Sequence, residues 1–406
     1  MNAWASRALR EVTETVAVGP FGSSIKVETF VKNGVPIISG QHLRGVRLDD
    51  SPGYNFISEE HASKLKRSIV GRGDVVLTHA GTIGQVAIIP PSSEYDRYVI
   101  SQRQFFIRCR EDVLDPMFLT CFLRSAPGQH ALLANASFSG VPSIAQPSTY
   151  VRTLLVPVPP LTEQQAITDV LGAFEDKIAV NRRVASLAEQ YLRTEIDQAW
   201  LQRPGREALL TDFVILNPPT AKPTDKEPLY IDMRKLPESG WSIAAPDRRE
   251  AKGGARFRRG DTLLARITPC LENRKAGFVD NINEEDVAIG STEFIVMRAR
   301  GRIAPPIAFL LATESRFREF AIQYMAGTSG RQRVSASDLA RFELPKPRED
   351  WLADFGSRAT SLFNHVESLH KENATLASTR DAILPQLMSG RLRVREAEAA
   401  ASAAGV

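Results

Sequence analysis

Apolar residues recur at Ile167, Val170/Leu171, Phe174, Ile178, Val184, Leu187/Ala188, Tyr191 and Ile196. Steps of three and four place them along one side of a helix, and they predict one long amphipathic helix over Pro159–Trp200. Pro159 and Pro160 seal its entry, and Thr162 with Gln165 three residues on predicts a capping box. No Gly or Pro follows Gly172 until Pro204. A rod of roughly 36 residues, ~54 Å at 1.5 Å per residue, is therefore allowed. Such a stripe is too long for one globular core and needs a partner.

A second helical run begins near Glu349. Leu352, Phe355, Ala359, Leu362, Val366, Leu369, Asn373, Leu376, Arg380, Ile383 and Leu387 keep a 3,4 alternation, the pattern of a coiled-coil seam. Asn373 and Arg380 fall at a-type positions, where a polar side chain costs stability but can fix register or partner. Pro385 predicts a kink and Gly390 a stop. The Ala/Glu-rich end, 394–406, is expected to be frayed or disordered.

Ahead of each long helix lie short β-like runs punctuated by Gly, Pro and Ser. Strand-like runs occupy Val35–Ser39, Asp74–His79, Gln85–Ile89 and Tyr98–Cys109, with a helical piece at Pro116–Ser125, a Ser-rich loop at Asn135–Thr149 and a strand at Val151–Pro157. Beyond a break at Gln202–Gly205 come Leu229–Met233, Asp261–Arg266, Lys275–Val279 and Val287–Arg298. The halves echo each other at an offset of about 188. RGDVVLTHAG at 72–81 matches RGDTLLARIT at 259–268, Tyr98–Arg110 lies over Val287–Ala299, and Ser139-Gly140 over Ser329-Gly330. VPVPP at 156–160 lies over LPKPR at 344–348. The expected fold is α+β: two duplicated mixed α/β domains, 1–158 and 204–347, joined by long helices at 159–203 and 348–393 packed as an antiparallel coiled coil.

Composition bounds the chemistry. The formal charge of +4 permits a nucleic-acid partner without requiring one. Cys109, Cys121 and Cys270 form no CxxC, and the six histidines form no ligand spacing, so neither a disulfide framework nor a metal site is expected. No signal peptide or membrane span is expected, and the setting implied is cytoplasmic. NPPT at 217–220 has Thr220 where a base-flipping loop needs an aromatic ring, so it reads as a Pro-rich turn. No GxxxxGK[ST] loop is present. Asp74 and Asp261 lack the acidic-x-Lys pair of a nuclease and read as turn caps. Ser139 and Ser329 stand in no GxSxG elbow. A catalytic chain is disfavoured.

Binding chemistry remains. Arg248, Arg249, Lys252, Arg256, Arg258 and Arg259 crowd a Gly-containing stretch from which cations could reach phosphates. The loop Gly327–Arg333 offers Arg331, Gln332 and Arg333, residue types that read guanine and adenine edges. Gln102, Arg103 and Gln104 are similar but alternate within a strand. Gly19–Lys26, with Gly22, Ser23, Ser24 and Lys26, offers amides, hydroxyls and a lysine suited to phosphate. Thr78, His79 and Thr82, and in the second copy Arg266, complete the candidate DNA contacts with Ser139 and Ser329. The alternative is a coiled-coil protein-interaction scaffold that binds no DNA. It accommodates the helices but not the repeated Arg/Gln-bearing loops.

GPFGSSIK at the start, PPLTEQQAI and EDKIAVNRR in the central helix and RDAILPQLMSGRL in the last one complete a pattern. From about Val18 to Arg393 the chain resembles the DNA-specificity subunit of a type I restriction–modification system. The resemblance implies two target recognition domains, each reading half of a split site, and a helical ruler that docks two modification (adenine methyltransferase) subunits. It implies restriction/translocase subunits joining that complex. Cofactors would then be absent from this chain, with S-adenosylmethionine, ATP and Mg confined to the partners. The partner-binding helices would use Ile167, Leu171, Phe174, Ile178, Asn181, Leu187 and Tyr191, and Leu362, Val366, Leu369, Asn373 and Leu376. The second copy shows no clear GPFGS counterpart.

Overall fold

The computed structural model describes residues 4–201, 207–250, 253–328 and 330–406. The break at Gln202–Gly205, Lys252 and Ser329 lie outside the described residues. The chain divides into two compact units, one ending at Ile178 and taking in Ala374–Val406, the other Ala179–Asn373.

In the first unit an antiparallel four-stranded sheet has the order Thr13–Val18, Gln104–Cys109, Val75–Thr78, Val86–Ile88. Alternation along its strands decides the layers. Phe105, Ile107, Val75, Leu77 and Val86 enter a core with the helix Pro116–Arg124 and the long helices. Phe106, Val76 and Ala87 face the other way, onto Ile38, Tyr98 and Ile100 of a second sheet. That sheet runs Phe30–Val31, Phe56–Ile57, Val35–Ile38, Arg97–Ile100, Ile69–Gly71. With both faces covered, the central strands read as unbroken apolar runs.

The second unit repeats the plan. Val214–Leu216, Phe294–Ala299, Thr262–Ala265 and Ala276–Phe278 form the same antiparallel sheet, and Leu229–Ile231 pairs parallel with Ala288–Gly290 as Val35–Ile38 does with Arg97–Ile100. The sequence duplication is thus a duplication of topology. One expectation changes in both copies. Tyr98–Cys109 and Val287–Arg298 are each two strands in different sheets, divided by turns whose opening Ser101 and Ser291 carbonyls accept the Gln104 and Phe294 amides at 3.0 and 3.2 Å.

The long helices span Leu161–Ile196, followed by a π-helical stretch to Leu201, and Glu349–Met388. Thr162 is not the N-cap. The Pro160 carbonyl receives the Glu163 and Gln164 amides at 2.9 and 3.0 Å. Gln164, fully buried, ties the entry down by donating to the Val113 and Pro159 carbonyls at 2.9 and 2.8 Å and accepting from the Asp115 amide at 2.8 Å. Gln165 instead donates along its own helix to Asp169 at 2.9 Å.

The helices pack antiparallel. In the first unit Ile167, Leu171, Phe174 and Ile178 share a core with Leu376, Ile383 and Leu387, and Arg380 pairs with Glu175. In the second, Asn181 donates to Asn373 and Glu372 at 3.0 and 2.8 Å, and Arg358 pairs with Glu195. Leu187 and Tyr191 do not face the second helix; they are 46% and 48% exposed, while Ala188, Leu192 and Ile196 are buried with Phe355, Ala359, Phe363 and Val366. Beyond Asn181 the inward residues follow steps of 184/185, 188, 192 and 196, so 187 and 191 rotate outward. Phe363 likewise takes the inward place beside a half-buried Leu362.

The end of the chain is not disordered. Val394–Ala403 is a helix whose Ala397 and Ala401 join the core of the first unit, with Glu396 accepting the Arg393 amide at 3.0 Å. Gly390, at φ +67°, ends the helix before it.

Candidate nucleic-acid interface

In the first unit four loops meet where Thr13–Val18 and Val75–Thr78 end and Gln104–Cys109 begins. The Gly19 amide donates to the Gln104 carbonyl at 2.8 Å, and a Cβ at Gly19 would collide with the Ser101 backbone, so only glycine lets the loop pass. The His79 amide donates to the Arg103 carbonyl at 2.9 Å, Ile144 to His79 at 2.8 Å, and Gly81 to Pro142 at 2.9 Å. The hairpin Ala136–Ser137/Ser143–Ile144 is thereby fastened beside the others. This arrangement brings Gly22, Ser23, Lys26, Thr82, Arg103 and Ser139 to exposed positions, with Ser24 half-buried. Phe21 and Phe138, 87% and 70% exposed, stand on the same loops. The structure withholds two candidates. Gln104 and Thr78 are 1% and 2% exposed, donating in turn to Thr78 and Gln85 at 3.4 and 3.0 Å, an internal chain that pins the strand ends. Strand-end side chains point into the sheet as readily as out, and residue type alone does not say which. Burial lowers the His79 pKa, so this imidazole adds no charge near neutrality.

The second unit assembles matching loops. Asn217–Thr220 follows its first sheet strand as Gly19–Gly22 does in the first unit, so NPPT is the counterpart of GPFG. Its Asn217, at φ +47°, exchanges hydrogen bonds with Val296 at 2.7 and 3.0 Å, confirming a structural turn. The Arg266 amide donates to the Glu293 carbonyl at 3.0 Å, and Thr268 to the Gln332 carbonyl at 3.1 Å, so the loops around Arg266 and Gln332 are bound together. Arg331 is exposed and Gln332 half-buried. Arg333 is already paired within the unit: its guanidinium forks onto Glu293 at 2.7–3.0 Å. The pairing holds the Glu293 carboxyl below its ordinary value. In the basic stretch, Arg256 and Arg258 are exposed, whereas Arg259 binds Glu367 at 2.6 Å and Arg249 lies over the Tyr230 ring.

Sequence reading missed an ion pair common to the two antiparallel sheets. Asp74 accepts the Gly71 amide at 2.9 Å and a two-pronged contact from Arg108 at 2.8 and 2.6 Å. Asp261 does the same with the Arg258 amide and Arg298, at 2.9 and 2.7 Å. The turn-cap reading of both aspartates holds. Strand pairing puts Arg108 and Arg298 at corresponding places, Ile107 lying opposite Val75 as Met297 lies opposite Thr262, whereas the sequence alignment is one residue off and sets Arg108 over Met297. Among the described residues no side-chain group suited to a metal ion is found, and no helix is long and apolar enough to cross a membrane.

Comparison with known proteins points to the same kind of molecule. Residues 1–190 match the family model of the type I restriction modification DNA specificity domain. The chain is 20% identical to a protein named for the MjaX type I restriction enzyme specificity subunit of Methanocaldococcus jannaschii, over 97% of this chain and 94% of that one. It is 27% identical to the EcoAI specificity subunit of Escherichia coli, over 34% of this chain and 23% of that one. The fold is shared with the crystal structure of a type I system S subunit from M. genitalium, at TM-score 0.55 and 14% identity over 95% and 96% of the two chains. Residues 1–190 are thus similar to the type I restriction modification DNA specificity domain, and the chain as a whole shares its fold with a type I system S subunit.

Proposed function

We propose that this chain is the non-catalytic subunit that reads a bipartite double-stranded DNA target, one half with each unit. The observation that carries this reading is the convergence of corresponding loops at the same sheet end in both copies, bearing Arg103 and Ser139 in the first unit and Arg266 and Arg331 in the second. Phosphate-reaching cations set register there and amide or guanidinium forks read base edges. The paired long helices act as a ruler between the readers and as the seat for two modification methyltransferase subunits. Val180, Leu187 and Tyr191, apolar and exposed on the first helix, support that seat. Restriction/translocase subunits join through the modification complex in the cytoplasm, and S-adenosylmethionine, ATP and Mg are bound by those partners. Binding of the full-length chain to duplex DNA tests the reading. Affinity falling steeply between about 50 and 200 mM salt is expected. Absence of duplex binding at low salt would leave a protein-interaction scaffold instead.

A further inference from the structure

The second unit holds an open cavity of about 410 Å³ beneath the Asn217–Thr220 turn. Pro218, Pro219 and Phe294 give it an apolar wall, Arg256 and Arg266 a cationic one, and no carboxylate lines it. Other cavities of this unit mix signs: one sets Arg259 and Lys371 beside Glu284 and Glu367. Arg256 is held in place by donating to the Thr220 carbonyl at 2.7 Å. The Arg266 Nε is shielded from solvent and has no hydrogen-bond partner. Glu293, whose charge Arg266 feels, has both oxygens engaged by Arg333. A buried unsatisfied donor is costly, more so on a charged group, so this site favours an incoming anion.

Building on the DNA-reading function above, we propose that this cavity seats one nucleotide unit of the DNA backbone, its phosphodiester on Arg266 and Arg256 and its deoxyribose against Pro218 and Pro219. The volume suits a sugar with its phosphate rather than a bare ion. The seat belongs to the second unit alone, because His79 stands in the first where Arg266 stands in the repeat, and Phe21 where Pro219 stands. A backbone contact of this kind fixes register without carrying sequence information.

The test compares full-length wild type, Arg266→Ala and Arg266→Lys on a duplex carrying the motif methylated in cells. Loss of one phosphate contact reduces the salt exponent by about 0.9, so from about 50 to 200 mM salt the alanine variant loses roughly 3.5-fold less affinity than wild type. Lysine restores the slope, the methylated motif is unchanged, and a neutral methylphosphonate at one backbone position weakens wild type but not Arg266→Ala. An unchanged slope for Arg266→Ala overturns the seat, as does a change in the bases of one half-site, which would make Arg266 a base reader. Inorganic phosphate that binds wild type but not Arg266→Ala, with DNA slopes equal, marks a free-phosphate site and also overturns it. If wild type itself shows no salt-dependent duplex binding, the underlying function fails; if it does and only Arg266 is without effect, the seat alone fails.

Discussion

Asn181, buried, donates to a half-buried Asn373 within the second unit. The coiled-coil pattern marked Asn373 as a register residue, but its partner was invisible because nothing in a linear pattern pairs residues 192 apart. Asn181→Ala should cost about 1–3 kcal/mol in chemical denaturation by stranding the Asn373 oxygen, whereas Leu at both positions should cost far less. The Asp–Arg anchors give a graded expectation. Asp261 is buried and Arg298 mostly so, while Arg108 is nearly half exposed. Arg298→Ala should therefore destabilise its unit by about 3–5 kcal/mol, and Arg108→Ala by less, read by hydrogen exchange of each unit. Asp280 is buried, with Glu367 adding repulsion, and its carboxyl is pushed up to about 7. The fold thus favours its protonated form. The resulting stabilisation is present below the unfolded value near pH 4 and lost as pH rises through about 7. Asp280→Asn should flatten that decline and raise stability at pH 8, by at most about 4 kcal/mol from 1.36 kcal/mol per unit. An equal pH profile in wild type and variant would reject the assignment.

At the scale of elements, periodicity placed both long helices, and short apolar runs bounded by Gly and Pro placed most central strands, because residues such as Phe105, Ile107, Leu263 and Val296 lie in strands covered on both faces. It failed where packing rather than period decides. Leu187 and Tyr191 look like seam residues until the actual phase of the helix is known. Arg333 and Gln104 look like DNA readers until Glu293 and Thr78 claim them. The Ala/Glu-rich tail reads as disordered because alanine carries so weak an apolar signal, yet Ala397 and Ala401 complete a core. Deleting 394–406 should lower the stability of the first unit by on the order of 2 kcal/mol. Thermal unfolding followed in each unit checks this, and an unaltered first unit would show that the helix only rests on the surface.

At the scale of the whole molecule, the proposed function requires the two units, linked by continuous helices, each to read half of the target. Inserting four residues near Ala185, about one helical turn, should lengthen the unread spacer of the target while both half-sites persist. The resemblance and the duplicated plan were legible from GPFGSSIK, PPLTEQQAI and the repeat at 72–81 and 259–268. The counterpart of GPFG was not, because NPPT shares only a proline with it and is matched by position after a strand rather than by residue type. The most direct measurement is methylome sequencing of cells carrying this chain with its modification subunits. The account predicts adenine methylation at a single bipartite motif, two short half-sites separated by a fixed unread spacer; methylation at one uninterrupted motif would contradict it.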